Sequence, residues 1–103
     1  MAEKVKYEGS RTIDGLVVTF NGTPLQAYTD IKSFCPAGFE WGYYGDASKQ
    51  LAFALLMHHT NDRAISLSLA DTFASDVVSN LDNHWTLSSK EIEGFLKTRI
   101  SKE

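Results

Sequence analysis

The chain has 103 residues, 43% of them apolar and 22% charged, with a formal net charge of −3. That balance fits one domain with one modest core, and it excludes a disordered tail, a collagen-like chain and a disulfide scaffold. The 13 acidic side chains outnumber the 10 basic ones, which counts against a nucleic-acid-binding role, where phosphate contacts demand a basic surface.

Val5 and Tyr7 alternate with Lys4, Lys6 and Glu8, which predicts a short strand. Gly9-Ser10 then reads as a turn or bulge. The clearest local signal follows. Leu16 to Phe20 and Thr23 to Ala27 are extended runs joined by Asn21-Gly22, the dipeptide that a type I′ turn prefers because both central residues need positive φ. A two-residue loop fixes the register: Phe20 faces Thr23, Val18 faces Leu25 and Leu16 faces Ala27. One face of this hairpin is then almost wholly apolar. Pro24 cannot donate to a ladder, so the second strand belongs at an edge.

Asp30 to Phe34 carries no clear pattern. Cys35-Pro36-Ala37-Gly38 reads as a loop. Phe39 to Tyr43 is rich in aromatics and reads as a further strand, with Phe39, Trp41 and Tyr43 on one face and Glu40 and Gly42 on the other. Asp46 is the expected N-cap of a helix ending near His59. Its middle, Leu51 to Met57, is apolar on every side, as in a helix buried between layers. A second helical region is expected from Ala64 to Leu81, with a stripe of Ala70, Phe73, Ala74, Val77, Val78 and Leu81. Trp85-Thr86-Leu87 is a short extended piece. Ser88 and Glu91 form a capping box that opens a third helix, whose apolar face is Ile92, Phe95, Leu96 and Ile100. Strands first and helices after give an α+β fold: a small antiparallel sheet of three or four strands with three helices packed on one face, in a single domain.

The lone Cys35 cannot make an internal disulfide, which fits a reducing compartment. The first residues lack the apolar segment of a signal peptide, and Leu51 to Met57 is too short to span a bilayer. A cytoplasmic protein with no membrane partner is expected.

The string Pro36-Ala37-Gly38-Phe39-Glu40-Trp41-Gly42-Tyr43, with Gly45 and Gln50-Leu51-Ala52 after it, resembles a family of bacterial domains of unknown function, family 6166. Tyr7, Gly9, Arg11 and Gly15 resemble its N-terminal pattern. Phe73, Val77, Leu81, Trp85, Leu87, Ile92 and Leu96 resemble its C-terminal one. Cys35 stands where the family pattern has serine, and Asp46-Ala47-Ser48-Lys49 replaces a Gly-Pro-type helix start. The resemblance implies a fold and a setting on plasmids, phages and integrative elements. It implies no chemistry.

Glu40 is the first candidate site residue. A carboxylate among aromatic side chains suits proton transfer or a ligand cation, whereas a pair with Arg11 or Lys32 would make it structural. Tyr44, beside a glycine-bearing turn, is the best surface aromatic for a partner or a base. Glu40, Tyr44 and Arg11 are therefore the expected binding residues. No catalytic set is expected. Asp46 would occupy and repel at any anion site on the helix N-terminus after Gly45. His58 and His59 point about 100° apart on a helix, and only tertiary folding would bring His84 or Asp62 to them, so no metal site is expected. Cys35 lacks a recognisable nucleophile signature. Lys90, Lys97, Arg99 and Lys102 are interleaved with Glu91, Glu93 and Glu103, unlike a recognition helix.

These readings lead to a non-enzymatic accessory protein of a mobile element, without cofactor, that binds a host protein; inhibition of a host defence system of the anti-CRISPR or anti-restriction type is its specific form. A homodimer is compatible with it. The alternatives are a small nucleic-acid-binding regulator and a small enzyme built on Glu40 with Cys35 or His84.

Overall fold

The computed structural model describes residues 5–13, 15–36 and 38–100, apart from the side chains of Arg99 and Ile100. Four strands form one antiparallel sheet: β1 Lys6–Thr12, β2 Gly15–Phe20, β3 Thr23–Pro24 and β4 His84–Ser88, in the order β3-β2-β1-β4. Three helices complete the α+β fold: α1 Asp46–Thr60, α2 Arg63–Asp76 and α3 Ser89–Ile100.

The hairpin forms as its sequence dictates. Phe20 pairs with Thr23, and Asn21 and Gly22 sit at φ 50° and 86°. Leu25 N–H still donates to Val18 C=O at 2.9 Å, but the ladder stops at Pro24 and does not carry Leu16 to Ala27. Pro24 lies on the edge strand, where its missing N–H costs no ladder bond.

One face of the sheet is buried and the other open. Tyr7, Gly9, Val18, Trp85 and Leu87 point inward and are buried, while Val17 and Thr86 point outward and are exposed. The helices cover the inner face. Residues 51–56 of α1 have no exposed surface at all, which is why their apolar character shows no single face. Its last turn reaches the sheet: Tyr7 Oη and His58 Nδ1 are hydrogen-bonded at 2.7 Å, and the Phe20 ring lies 4.0 Å from the His58 ring. Burial pushes the Tyr7 hydroxyl up to about 12 and pushes His58 down, with His59 a smaller cause of the latter. Phe95 of α3 meets Phe73 of α2 edge-on at 4.8 Å.

Several expectations are corrected. Phe39 to Tyr43 is not a strand. Gly38 and Gly42 adopt φ 116° and 86°, so the segment turns at both ends instead of extending. Tyr43 is half-exposed, and only Trp41 of the three aromatics is fully buried. The extended piece around Trp85 supplies the fourth strand instead. Gly9 is no turn. It pairs with both Val18 and Trp85 in mid-strand, and a Cβ there would lie 2.2 Å from Trp85 Nε1. Gly45, not Asp46, caps α1; Asp46 is its first residue, and no side chain caps that end. Helix α2 stops at Asp76, and Val78–Asn80 form a short 3-10 turn before Leu81. The capping box opens α3 as expected: Ser88 N–H donates to Glu91 Oε1 at 2.8 Å and Glu91 N–H to Ser88 Oγ at 3.1 Å.

Candidate binding site

Strand alternation puts Arg11 on the same face as Tyr7 and Gly9, but at the end of the sheet, where the core gives way to solvent. Its guanidinium lies over the Trp41 ring, 4.9 Å from the centroid. All its nitrogens are used. Nη1 donates to Glu40 Oε2, Nη2 to Trp41 C=O and Nε to Asn83 Oδ1, each at 2.9 Å. The Glu40 side chain also accepts from Trp41 N–H through Oε1 at 3.2 Å. Arg11 and Glu40 therefore meet, and Lys32 is not the partner of this carboxylate. The pair is neither buried nor free: the side chains keep 34% and 28% of their surface. It fastens the irregular segment 40–42 to the sheet end.

These residues frame an open cleft of about 670 Å³, lined by Arg11, Glu40, Trp41 and Tyr43 on one side and by Leu81 to His84 on the other. Gly42 forms part of its wall. A Cβ at Gly42 would come within 3.3 Å of Leu81 C=O, and its φ of 86° disfavours a side chain in any case. Glu40 and Asp82 supply two carboxylates against the one guanidinium of Arg11. His84 Nδ1 is engaged by Ser10 Oγ at 2.8 Å on the outer face of the sheet.

Tyr44 lies beside this cleft but outside its lining. Its hydroxyl donates to Asp71 Oδ1, its ring lies 5.5 Å from Lys49 Nζ, and Lys49 Nζ is 3.3 Å from Asp71. The hydrogen bond to Asp71 raises the pKa of Tyr44 and lowers that of Asp71, and the same carboxylate raises Lys49. Tyr43 and Tyr44 each keep half their surface. Thus Arg11 and Glu40 are brought together, while Tyr44 belongs to an adjoining patch joined to the cleft by Tyr43.

The three histidines occupy separate places. His58 faces Tyr7 and Phe20, His59 Nε2 meets Glu93 Oε2 at 2.7 Å, and His84 meets Ser10. Among the described residues no group of three or more His, Cys, Asp or Glu side chains is placed to hold a metal ion. Cys35 is half-buried, and its N–H donates to Gln50. No helix among the described residues is long and apolar enough to cross a membrane.

The matching family model, a family of unknown function (DUF6166), covers residues 7–98. The chain belongs to this family. No curated protein and no solved structure matches it. The family assignment spans Arg11, Glu40, Tyr44 and the whole cleft, so the site lies within the family's domain.

Sequence reasoning missed the second wall of the cleft, Leu81 to His84, and Tyr43 as a surface residue. It also missed Gln50, whose fully buried amide makes four bonds: Oε1 accepts from Phe34 N–H at 2.6 Å and Cys35 N–H at 3.1 Å, and Nε2 donates to Ala27 C=O at 2.7 Å and Lys32 C=O at 3.1 Å. Gln50 follows Ser48 and Lys49, just before the apolar run of α1, so no local pattern marked it as buried.

Proposed function

We propose that this protein is a non-enzymatic binding protein that engages another protein through the Arg11–Glu40 cleft and the Tyr43–Tyr44 patch. The observation that carries this reading is the half-exposed tyrosine pair beside an arginine already held rigid by three partners. Tyr and Arg dominate interface hot spots, because they offer large contact area at low entropic cost when preorganised. Both Glu40 oxygens are engaged, by Arg11 and by Trp41 N–H, which fits a structural ion pair. The net charge of −3 and the two cleft carboxylates disfavour a phosphate backbone as partner. In the cellular setting implied by the family resemblance, the protein is a mobile-element accessory factor in the cytoplasm. Its partner is then a host protein, and a defence nuclease or its assembly is the specific target.

The test is affinity capture of the tagged chain from host lysate, with and without nuclease, alongside Tyr43→Ala and Tyr44→Ala variants. A stoichiometric protein that survives nuclease and is lost with either variant supports the reading. Capture that disappears with nuclease, or that both variants leave intact, overturns it.

A further inference from the structure

Three aromatic rings stand within four residues, at Trp41, Tyr43 and Tyr44, and two of them already carry a cation. The Arg11 guanidinium lies 4.9 Å from the Trp41 ring centroid and is paired with Glu40 at 2.9 Å. The Lys49 ammonium lies 5.5 Å from the Tyr44 ring centroid and is paired with Asp71 at 3.3 Å. Each unit thus combines a ring, a cation over it and a carboxylate against the cation. Tyr43, between them, is half-exposed, and among the described residues no cation lies over its ring. Asp82 lines the same cleft from the opposite wall. It is exposed, and among the described residues its carboxylate has no hydrogen-bond or ion-pair partner. Tyr43 and Asp82 therefore supply the ring and the carboxylate of a third such unit, to which the described residues add no cation. The cation bordering the cleft is engaged within the chain, since Arg11 is turned to Glu40, Trp41 C=O and Asn83. What the cleft turns outward is negative charge and an aromatic face, and both attract a cation.

We infer that this cleft receives an arginine side chain of a protein partner, its guanidinium stacked on Tyr43 with Asp82 as counter-ion; the inference rests on the protein-binding reading above. Arginine suits the place better than lysine. A planar guanidinium lies flat on an aromatic face while its edge N–H groups point at a carboxylate, and it is more weakly hydrated than an ammonium, so it gives up less on leaving water. The open volume of about 670 Å³ admits a long side chain together with part of its backbone. Arg11 repels the incoming charge little, because Glu40 holds a carboxylate oxygen 2.9 Å from it. An anionic occupant is disfavoured, because it would face Asp82 while the Arg11 nitrogens are committed elsewhere.

The experiment is an NMR titration of the isotopically labelled full chain at low salt. The probe is a blocked Gly-Arg-Gly tripeptide. Two control peptides carry at their centre either citrulline, which keeps the shape of arginine without its charge, or glutamate. The expected result is that the arginine peptide shifts the amide signals of Tyr43, Asp82 and Asn83 before all others. Replacing arginine by citrulline, or Asp82 by asparagine, should weaken binding by about fivefold, the size of an exposed ion pair. Tyr43→Ala should weaken it as well. An unchanged remainder of the spectrum checks that each variant is folded. Shifts spread over the whole acidic surface overturn the inference. So do shifts that citrulline reproduces or that Asp82→Asn leaves intact, and so does a glutamate peptide that binds the cleft more strongly. Repeating the lysate capture with Asp82→Asn separates this inference from the reading on which it rests. A partner lost with Tyr43→Ala but kept by Asp82→Asn leaves protein binding standing and overturns the arginine. Localised arginine binding with no captured protein supports the guanidinium site and overturns the protein partner.

Discussion

Two polar side chains fasten irregular backbone in this protein, and they do so in opposite surroundings. Gln50, on α1, holds the loop from Ala27 to Cys35. It is fully buried, uncharged and saturated by four backbone partners. Arg11, at the end of β1, holds the segment from Glu40 to Trp41. It is charged, partly exposed and opens on a cleft. A neutral amide can be buried when every donor and acceptor is satisfied, whereas a charged pair stays near water because desolvation is costly. The difference separates scaffold from surface: Gln50 has nothing left to offer a partner, while the Arg11 region is rigid and still accessible.

The comparison predicts unequal costs. Gln50→Leu keeps the volume but leaves two N–H and two C=O groups without their partner, and should destabilise the protein by about 3–5 kcal/mol. Urea denaturation measures it, and a loss below 1 kcal/mol would show that the loop finds other partners. Gly9→Ala comes next. Its Cβ would meet the Trp85 indole at 2.2 to 2.5 Å, a bulky ring wedged under the helices. Overpacking of this kind costs about 1–3 kcal/mol. A shifted tryptophan emission maximum should accompany the lower stability; unchanged emission and stability would contradict the close approach.

Much of the scaffold was legible because its signals are local. The Asn21-Gly22 turn, the capping box at Ser88 and Glu91 and the apolar run of α1 each depend on residues a few positions apart. What escaped depends on distant partners. Gly9 is small because Trp85 lies over it, and nothing near Gly9 in sequence says so. The alternating aromatics at Phe39 to Tyr43 imitate a strand, yet the positive φ of Gly38 and Gly42 bends the segment around Arg11. Arg11 and Glu40 were each visible as candidates, but only the fold brings them to 2.9 Å. Leu81 could be read as the end of a helix and Asp82 to His84 as a connection, not as a cleft wall, until β4 was placed beside β1.

The Arg11–Glu40 pair should cost far less to break than Gln50. A double-mutant cycle with Arg11→Met and Glu40→Gln should give a coupling of about 1 kcal/mol, in the range of partly exposed pairs. The coupling should shrink in high salt, because solvent reaches the pair. A coupling of 3 kcal/mol or more would place the pair energetically with Gln50, and would remove the contrast between scaffold and surface.

The smallest expected effect lies at His58, where the scaffold itself contains a titratable group. Burial lowers its pKa from the ordinary 6.5, and His59 lowers it further. In the unfolded chain the ordinary value returns, so on acidification the unfolded state takes up the proton first. Stability from the neutral imidazole is therefore fully present above about pH 6.5 and is lost as pH falls through that value toward the lower folded one. The melting temperature should fall between about pH 7.5 and pH 5.5. In His58→Asn, whose side-chain amide can still hydrogen-bond Tyr7, the fall should be shallower. Because His84 stays in both proteins, the difference between the two slopes reports His58 together with its coupling to His59. Equal slopes would mean that protonated His58 is accommodated beside Tyr7 and Phe20, and that this part of the scaffold is as open to water as the cleft.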